Sequence, residues 1–229
     1  MQRLLSLLLS AAALAPSAAF AAAPVAAPAP DTARDKLVAL MVPAERIGSL
    51  AGKAFDAGMD NQIASDPAIK ASFDGNPGLR QQIGDALRPQ FTAILIAALP
   101  SLRAELSGII GQALTASEIS DTLTFFSSSA GKKVSAELYE VMARAPGQSP
   151  EQIQQAAIAA VMAKMTAEDY PALMAFGGST AAQKLGALNA RISAATQAWG
   201  QRVVAANSVQ LQVQAMKLVA DYTARKAAK

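Results

Sequence analysis

Leu114–Leu138 reads LTASEISDTLTFFSSSAGKKVSAEL, and Met165–Asn189 reads MTAEDYPALMAFGGSTAAQKLGALN. Laid over each other at an offset of 51, the two stretches share Thr115/Thr166, Ala116/Ala167, Phe125/Phe176, Ser128/Ser179, Ala130/Ala181, Lys133/Lys184 and Ala136/Ala187. A period of this length points to one supersecondary unit used twice. Each copy, about 114–138 and 165–189, reads as a helix-turn-helix. Thr115 and Glu118 stand three apart, so the Thr hydroxyl can accept from the third backbone N–H while the Glu carboxylate reaches back to the cap. Thr166 and Asp169 form a weaker counterpart, since Asp reaches back less well than Glu. The first helix of each copy should end near Phe125 or Phe176, and Ser128 or Ser179 should cap the next. Gly131 falls at the third position of that next helix, where it costs up to about 1 kcal/mol against Ala. Ala182, also small, holds the matching place, which implies that another helix backbone passes close by in both copies. Lys133 and Lys184 project a little further along.

The string Phe125-Phe126-Ser127-Ser128-Ser129-Ala130-Gly131-Lys132-Lys133, preceded by the Thr115/Glu118 box, resembles the F-[YF]-x-S-P-x-G-x-K signature of the exported bacterial "domain of unknown function 2059" family. Ser129 departs from the usual Pro, and the second copy departs further, with Gly177, Thr180 and Ala182. The resemblance is tight over about 114–138 and looser over roughly 80–200. It implies an all-helical domain that works outside the cytoplasm. It implies no reaction and brings no catalytic residues with it.

Outward from the two copies, apolar periodicity is helical almost everywhere, with no alternating β-branched runs. The expected fold class is all-α, an irregular helical bundle with an internal duplicated helix-turn-helix unit. Abundant Ala and only 5% aromatic residues suit helices packed closely side by side. A short helix is expected from Asp31 to Met41, stopped by Pro43, and a second from about Ala44 to Ala57. Residues 58–78, with Asp66-Pro67 and Asp74-Gly75-Asn76-Pro77, read as turn-rich, Asn76 capping a new helix with Pro77 at its first position. From Leu79 to Leu114 the steps Ile83, Leu87, Phe91, Ile94, Leu95, Leu99, Leu102, Leu106, Ile109 and Ile110 trace one helix face, which Pro89 and Pro100 should kink or divide. Arg103 and Glu105 hold this path short of a membrane span, so a core helix is expected. Ser149-Pro150-Glu151-Gln152 starts another helix. A long pattern then runs from Thr180 towards Arg225, its stripe including Trp199, Val209, Val213 and Met216. Gly200 or Asn207-Ser208 is expected to break it, and part of it suits an oligomer seam.

At the other end, MQRLLSLLLSAAALAPSAAFA has a basic start at Arg3, an apolar run from Leu4 to Leu14, and an Ala19-Phe20-Ala21 cleavage site. It reads as a signal peptide over 1–21, leaving no transmembrane anchor after cleavage. Residues 22–30, AAPVAAPAP, read as an Ala/Pro-rich disordered leader. Residues 31–229 then form a single helical domain, periplasmic or secreted.

The 229 residues contain no His and no Cys. That removes Ser-His-Asp triads, Cys-His dyads, disulfides and the usual zinc and iron–sulfur sites. A net charge of +3, falling to +2 with loss of Arg3, gives no footprint for nucleic acid. The basic tail Arg225-Lys226-Ala-Ala-Lys229 reads as cations favourably placed at a helix C-terminus. Ser129-Ala-Gly-Lys132 matches S-x-x-K of penicillin-recognising enzymes, yet no K-T-G or S-D-N accompanies it. Asp56, Asp60, Asn61, Asp66 and Asp74 lack calcium-loop spacing and read as solvated. Glu137 and Glu140 read as a solvated face. Met142, Met162, Met165, Met174 and Met216 read as core fillers. No catalytic residue, cofactor or metal site is therefore expected. The function expected is an exported non-catalytic module that binds a protein partner or itself. A carrier or chaperone for an apolar ligand such as a lipid is the alternative, and a Ser-Lys hydrolase the least favoured.

Overall fold

The computed structural model describes residues 32–144 and 150–228. The expected signal peptide, Ala/Pro leader and Ser149 cap lie outside the described residues. The helices are α1 (Ala33–Met41), α2 (Ala44–Ser65), α3 (Pro67–Asp74), α4 (Leu79–Ala113), α5 (Ala116–Ser127), α6 (Ser129–Arg144), α7 (Pro150–Lys164), α8 (Tyr170–Gly177) and α9 (Thr180–Ala227). No strand occurs among the described residues, so the chain is all-α, as its 3.6-residue periodicity requires.

Local chemistry explains most of the boundaries. Thr32 caps α1 by accepting from the Asp35 N–H at 3.2 Å, and Pro43 follows its end. The turn-rich expectation for residues 58–78 is corrected: α2 continues to Ser65, and Asp66-Pro67 starts α3. The Asp66 carboxylate accepts from the Ala68 and Ile69 N–H groups at 2.8 and 3.1 Å, with Pro67 needing no donor at its position. The real turn is confined to Gly75–Gly78. Asn76 donates its side-chain amide back to the Ser72 carbonyl instead of capping α4, and Gly78 supplies a φ of 92°.

Pro89 and Pro100 do not divide α4, which is continuous. Each removes one donor, but the row Leu87, Leu95, Leu99, Leu102, Leu106 and Ile110 is buried along the whole helix, and that burial outweighs two lost hydrogen bonds. By length and composition alone α4 could cross a membrane: one 18-residue window reaches a mean hydropathy of 1.6 despite Arg103 and Glu105. Arg103 is used inside the fold, donating to the Val42 carbonyl at 3.0 Å. Nor is α9 broken at Gly200 or Asn207-Ser208. The Asn207 amide donates to the Val203 carbonyl and the Ser208 hydroxyl to the Ala205 carbonyl, so both side chains bond back onto their own helix.

The chain packs as two compact units, each with its own core. One comprises Gly48–Ala97 and residues 200–228. Met59, Leu79, Ile83, Leu87 and Ala215 form its buried centre, with Phe55, Ile63, Phe73, Leu218, Val219 and Tyr222 packed around it. Asp56 takes a bidentate contact from Arg88 at 2.8 and 3.0 Å, Asp60 pairs with Arg80 at 2.6 Å, and Asp74 with Lys70 at 2.6 Å. Of the basic tail, Lys226 donates to the Gly75 carbonyl and the Asn76 side chain, closing the α3–α4 turn. The stripe expected on α9 fails as a continuous core face here: Val209 is 72% and Val213 54% exposed, while Leu211 and Ala215 are buried. A helix of 3.6 residues per turn drifts about 20° per heptad against a seven-residue repeat, so a long stripe turns away from a fixed core.

The other unit comprises residues 32–47 and Ala98–Trp199. Leu37, Val38, Leu99, Leu102, Leu106 and Ile110 are buried in it almost completely. Helix α1 packs on α5, α5 on α6, α6 on α7, and α8 on both α5 and α6. Trp199 on α9 is buried, its indole donating to the Ser101 hydroxyl of α4 at 3.1 Å. Thr122, fully buried, satisfies its hydroxyl on the Glu118 carbonyl at 2.6 Å.

Gly131 lies where α6 folds back against the end of α5. A Cβ there would sit 2.0 Å from the Phe125 carbonyl oxygen and 2.6 Å from the Phe126 Cα, both immovable backbone. The close neighbour is thus the preceding helix itself. Gly131→Ala should lower unfolding free energy by more than about 2 kcal/mol. Gly108→Ala, on an open face of α4 with nothing within 4 Å, should raise it by about 0.5–1 kcal/mol. Urea unfolding of the two variants checks the pair.

Candidate functional site

The residues singled out from the two related stretches meet at one place. Phe125 at the end of α5 and Phe176 at the end of α8 stack with centroids 4.1 Å apart and planes 6° from parallel. Phe126 meets Phe176 edge-on at 5.9 Å. On either side of this stack, each stretch sends its Lys to the other's helix start. Lys133 donates to Asp169 at 2.5 Å, and Lys184 donates to Glu118 at 2.8 Å. The exchange is reciprocal at the offset of 51: Glu118 and Lys133 of one stretch correspond to Asp169 and Lys184 of the other.

Each carboxylate also closes its own helix start. At α5 the capping box is complete: the Glu118 N–H donates to the Thr115 hydroxyl at 3.3 Å, and the Thr115 N–H to the Glu118 carboxylate at 2.8 Å. The second start differs from expectation. Thr166 is not a helix cap; residues 166–169 form a turn, and α8 begins only at Tyr170. Asp169 accepts from the Thr166 N–H at 2.9 Å and its hydroxyl at 2.8 Å, so the shorter acid pulls the backbone into a turn instead of leaving room for a helical one. Ser128 and Ser179 accept from the Gly131 and Ala182 N–H groups, each three residues on.

Asp169 is only 3% exposed. Lys133 first, then the Thr166 N–H and hydroxyl, hold its carboxyl well below the usual carboxylate range. Lys184 and the Thr115 N–H lower Glu118 likewise. Both groups are therefore committed anions, unsuited to giving or taking protons near neutral pH. Ser129, of the Ser-x-x-Lys match, lies near enough to Asp169 to help lower its carboxyl, behind Lys133 and Thr166. Lys132 points elsewhere, with no side-chain partner among the described residues. No group of three or more acidic residues that could hold a metal ion occurs among the described residues.

Sequence reasoning missed a groove on the α6 side of this junction. An open depression of about 340 Å³ is lined by Leu40, Pro43, Arg46, Phe126, Lys132, Ser135, Ala136 and Tyr139. The Tyr139 hydroxyl donates to the Met41 carbonyl, and burial pushes it up to about 12, Arg46 and Arg103 working against that rise. Glu140, expected on a solvated face, pairs with Arg46 at 3.5 Å and Arg144 at 3.7 Å. The expectation of core methionines is corrected. Met142, Met162, Met174 and Met216 are exposed, as are Leu138 and Ile158, while Val141, Ala157 and Ala215 take buried positions.

Residues 100–165 match the family model described as "Uncharacterized protein conserved in bacteria (DUF2059)". The match covers Phe125–Lys133 and the α5–α7 framework, so the resemblance read from that string holds for this segment. No curated protein and no solved structure matches the chain.

Both carboxylates at the junction bind protons more readily in the unfolded chain than in the folded one. Their stabilisation is complete above the ordinary carboxylate value of about 4 and is lost as pH falls below it. Urea midpoints measured from about pH 6 to about pH 3 should fall steeply for the native protein, and less so for Asp169→Asn. Lys133→Met alone should cost more than Lys133→Met combined with Asp169→Asn, because the single change strands a buried anion.

Proposed function

We propose, for a chain whose residues 100–165 match this bacterial family, that the protein is an exported, non-catalytic helical interaction module which receives a segment of a partner protein in the α1–α2–α6 groove. One observation carries this reading: an apolar floor of Leu40, Pro43, Phe126 and Tyr139 lies open to solvent, and α6, which forms one wall, also exposes Leu138 and Met142. Met is unbranched and polarizable, and it adapts to varied partner shapes. The carrier reading shares the composition, but a lipid carrier shields its cargo inside an enclosed cavity, whereas this depression is open. The signal peptide read over 1–21 sets the site of action outside the cytoplasm.

The reciprocal Lys133–Asp169 and Lys184–Glu118 exchange supports the further reading that 114–138 and 165–189 are one unit used twice. In a two-fold arrangement, if one residue touches a second, the second's counterpart touches the first's, and equivalent residues meet on the axis. The two ion pairs and the Phe125–Phe176 stack have that form. Its role here is to hold α6, and with it the groove, in one position.

A photo-cross-linking residue placed at Leu40 tests the groove, with one at Gln112 as a surface control. In the native envelope the Leu40 probe should capture a defined protein band that the Gln112 probe does not. A purely monomeric protein by light scattering, with no Leu40-specific product, would overturn the proposal. A lipid mass retained in native mass spectrometry would favour the carrier instead.

A further inference from the structure

The groove is not electrically neutral. Arg46 and Lys132 both line it, with the Ser135 hydroxyl on the same wall. Arg103 lies near enough to the Tyr139 oxygen to act on its titration. Facing these cations, Glu140 contacts Arg46 only at 3.5 Å and is shared with Arg144 at 3.7 Å, both pairs well exposed to water. Exposed pairs of that kind contribute little and exchange easily. Lys132 has no ion pair or side-chain hydrogen bond among the described residues. An apolar floor thus lies beside one free cation and a second held weakly.

Resting on the groove reading above, we infer that the partner segment it takes is acidic as well as apolar: a helical or extended stretch whose Leu-like side chain seats on Leu40 and Phe126, and whose neighbouring carboxylate is held by Arg46 and Lys132. The incoming carboxylate displaces Glu140 from Arg46. Glu140 then remains paired with Arg144, so no charge is stranded by the exchange. A cationic segment is rejected by the same pair of side chains, which makes the selectivity electrostatic and salt-sensitive.

Three matched peptides test this against the purified full-length exported protein. Each is Ala-rich, blocked at both ends, and carries two Leu one turn apart; beside each Leu stands Glu, Gln or Lys. The Glu peptide should bind roughly tenfold tighter than the Gln peptide, with the Lys peptide weakest, and the gap should close in high salt. The Arg46→Gln, Lys132→Gln double variant should abolish the preference at unchanged circular dichroism. Glu140→Gln should tighten the Glu peptide by removing the internal competitor, a gain that a damaged fold does not produce. Equal binding of Glu and Gln peptides would overturn acid selection while leaving the groove as a docking site. Binding of none of the three would also overturn it, and the Leu40 cross-link would then judge the groove separately. Octanoate binding more tightly than any peptide would overturn the peptide assignment, placing a free acyl carboxylate in the groove.

Discussion

Asp169 is an almost fully buried carboxylate, and the second unit is arranged around keeping it charged and satisfied. A buried anion is costly unless hydrogen bonds and an opposite charge surround it. Here the Thr166 N–H and hydroxyl approach from its own turn, and Lys133 and Ser129 from α6. The same side chain therefore shapes one turn and clamps another helix. Lys184 on Glu118 repeats the clamp in the opposite sense, and Phe125 against Phe176 fills the space between. Apolar burial draws these helices together; the two ion pairs decide the register in which they meet.

Helix α6 inherits its placement from that constraint. Gly131 lets its first turn approach the Phe125 carbonyl, near the end of α5, more closely than any side chain permits. Lys133 is then drawn to Asp169, and Lys132, one residue earlier and about 100° round the helix, lines the groove instead. One helix thus carries an inward cation that builds the fold and an outward cation that builds a surface. Tyr139, two turns on, ties α6 to the end of α1 through the Met41 carbonyl and closes the groove floor. The acidic segment inferred as occupant follows from the cations left over once the junction has taken its share.

The helical class, the capping box at Thr115 and the correspondence of Phe125 with Phe176 along the chain were legible because each depends on nearby residues or on a repeat spacing; that the two rings stack was not. The turns were less so. Asp66-Pro67 and Asp169-Tyr170-Pro171 both place a proline just after an acid, yet the first starts a helix directly while in the second the turn from Thr166 delays one. What differs is the partner: Asp66 is free to cap, whereas Asp169 is claimed by a lysine 36 residues earlier. Pro89, Pro100, Gly200 and Asn207 looked like breaks for a related reason. Local propensity costs there are a few kcal/mol at most; in α4 burial of a long apolar row exceeds them, and in α9 the Asn207 amide bonds back onto its own helix. Val209 and Met142 erred the other way, since periodicity marks an apolar face without saying which helix, if any, covers it.

By itself the sequence determined that this chain is helical, that two of its stretches share residues at an offset of 51, and that no imidazole or thiol is present for chemistry. Those properties reside in side-chain type and in spacings of three, four and 51 residues, which survive without any knowledge of the fold. Only the tertiary structure decided which lysine faces which acid and which lysine faces solvent. It alone brought Leu40 and Arg46 beside Phe126, Lys132 and Tyr139, residues some 80 to 100 positions away along the chain. A groove is formed by what two distant helices leave unfilled between them, and that space is set by packing across the core, not by any local pattern.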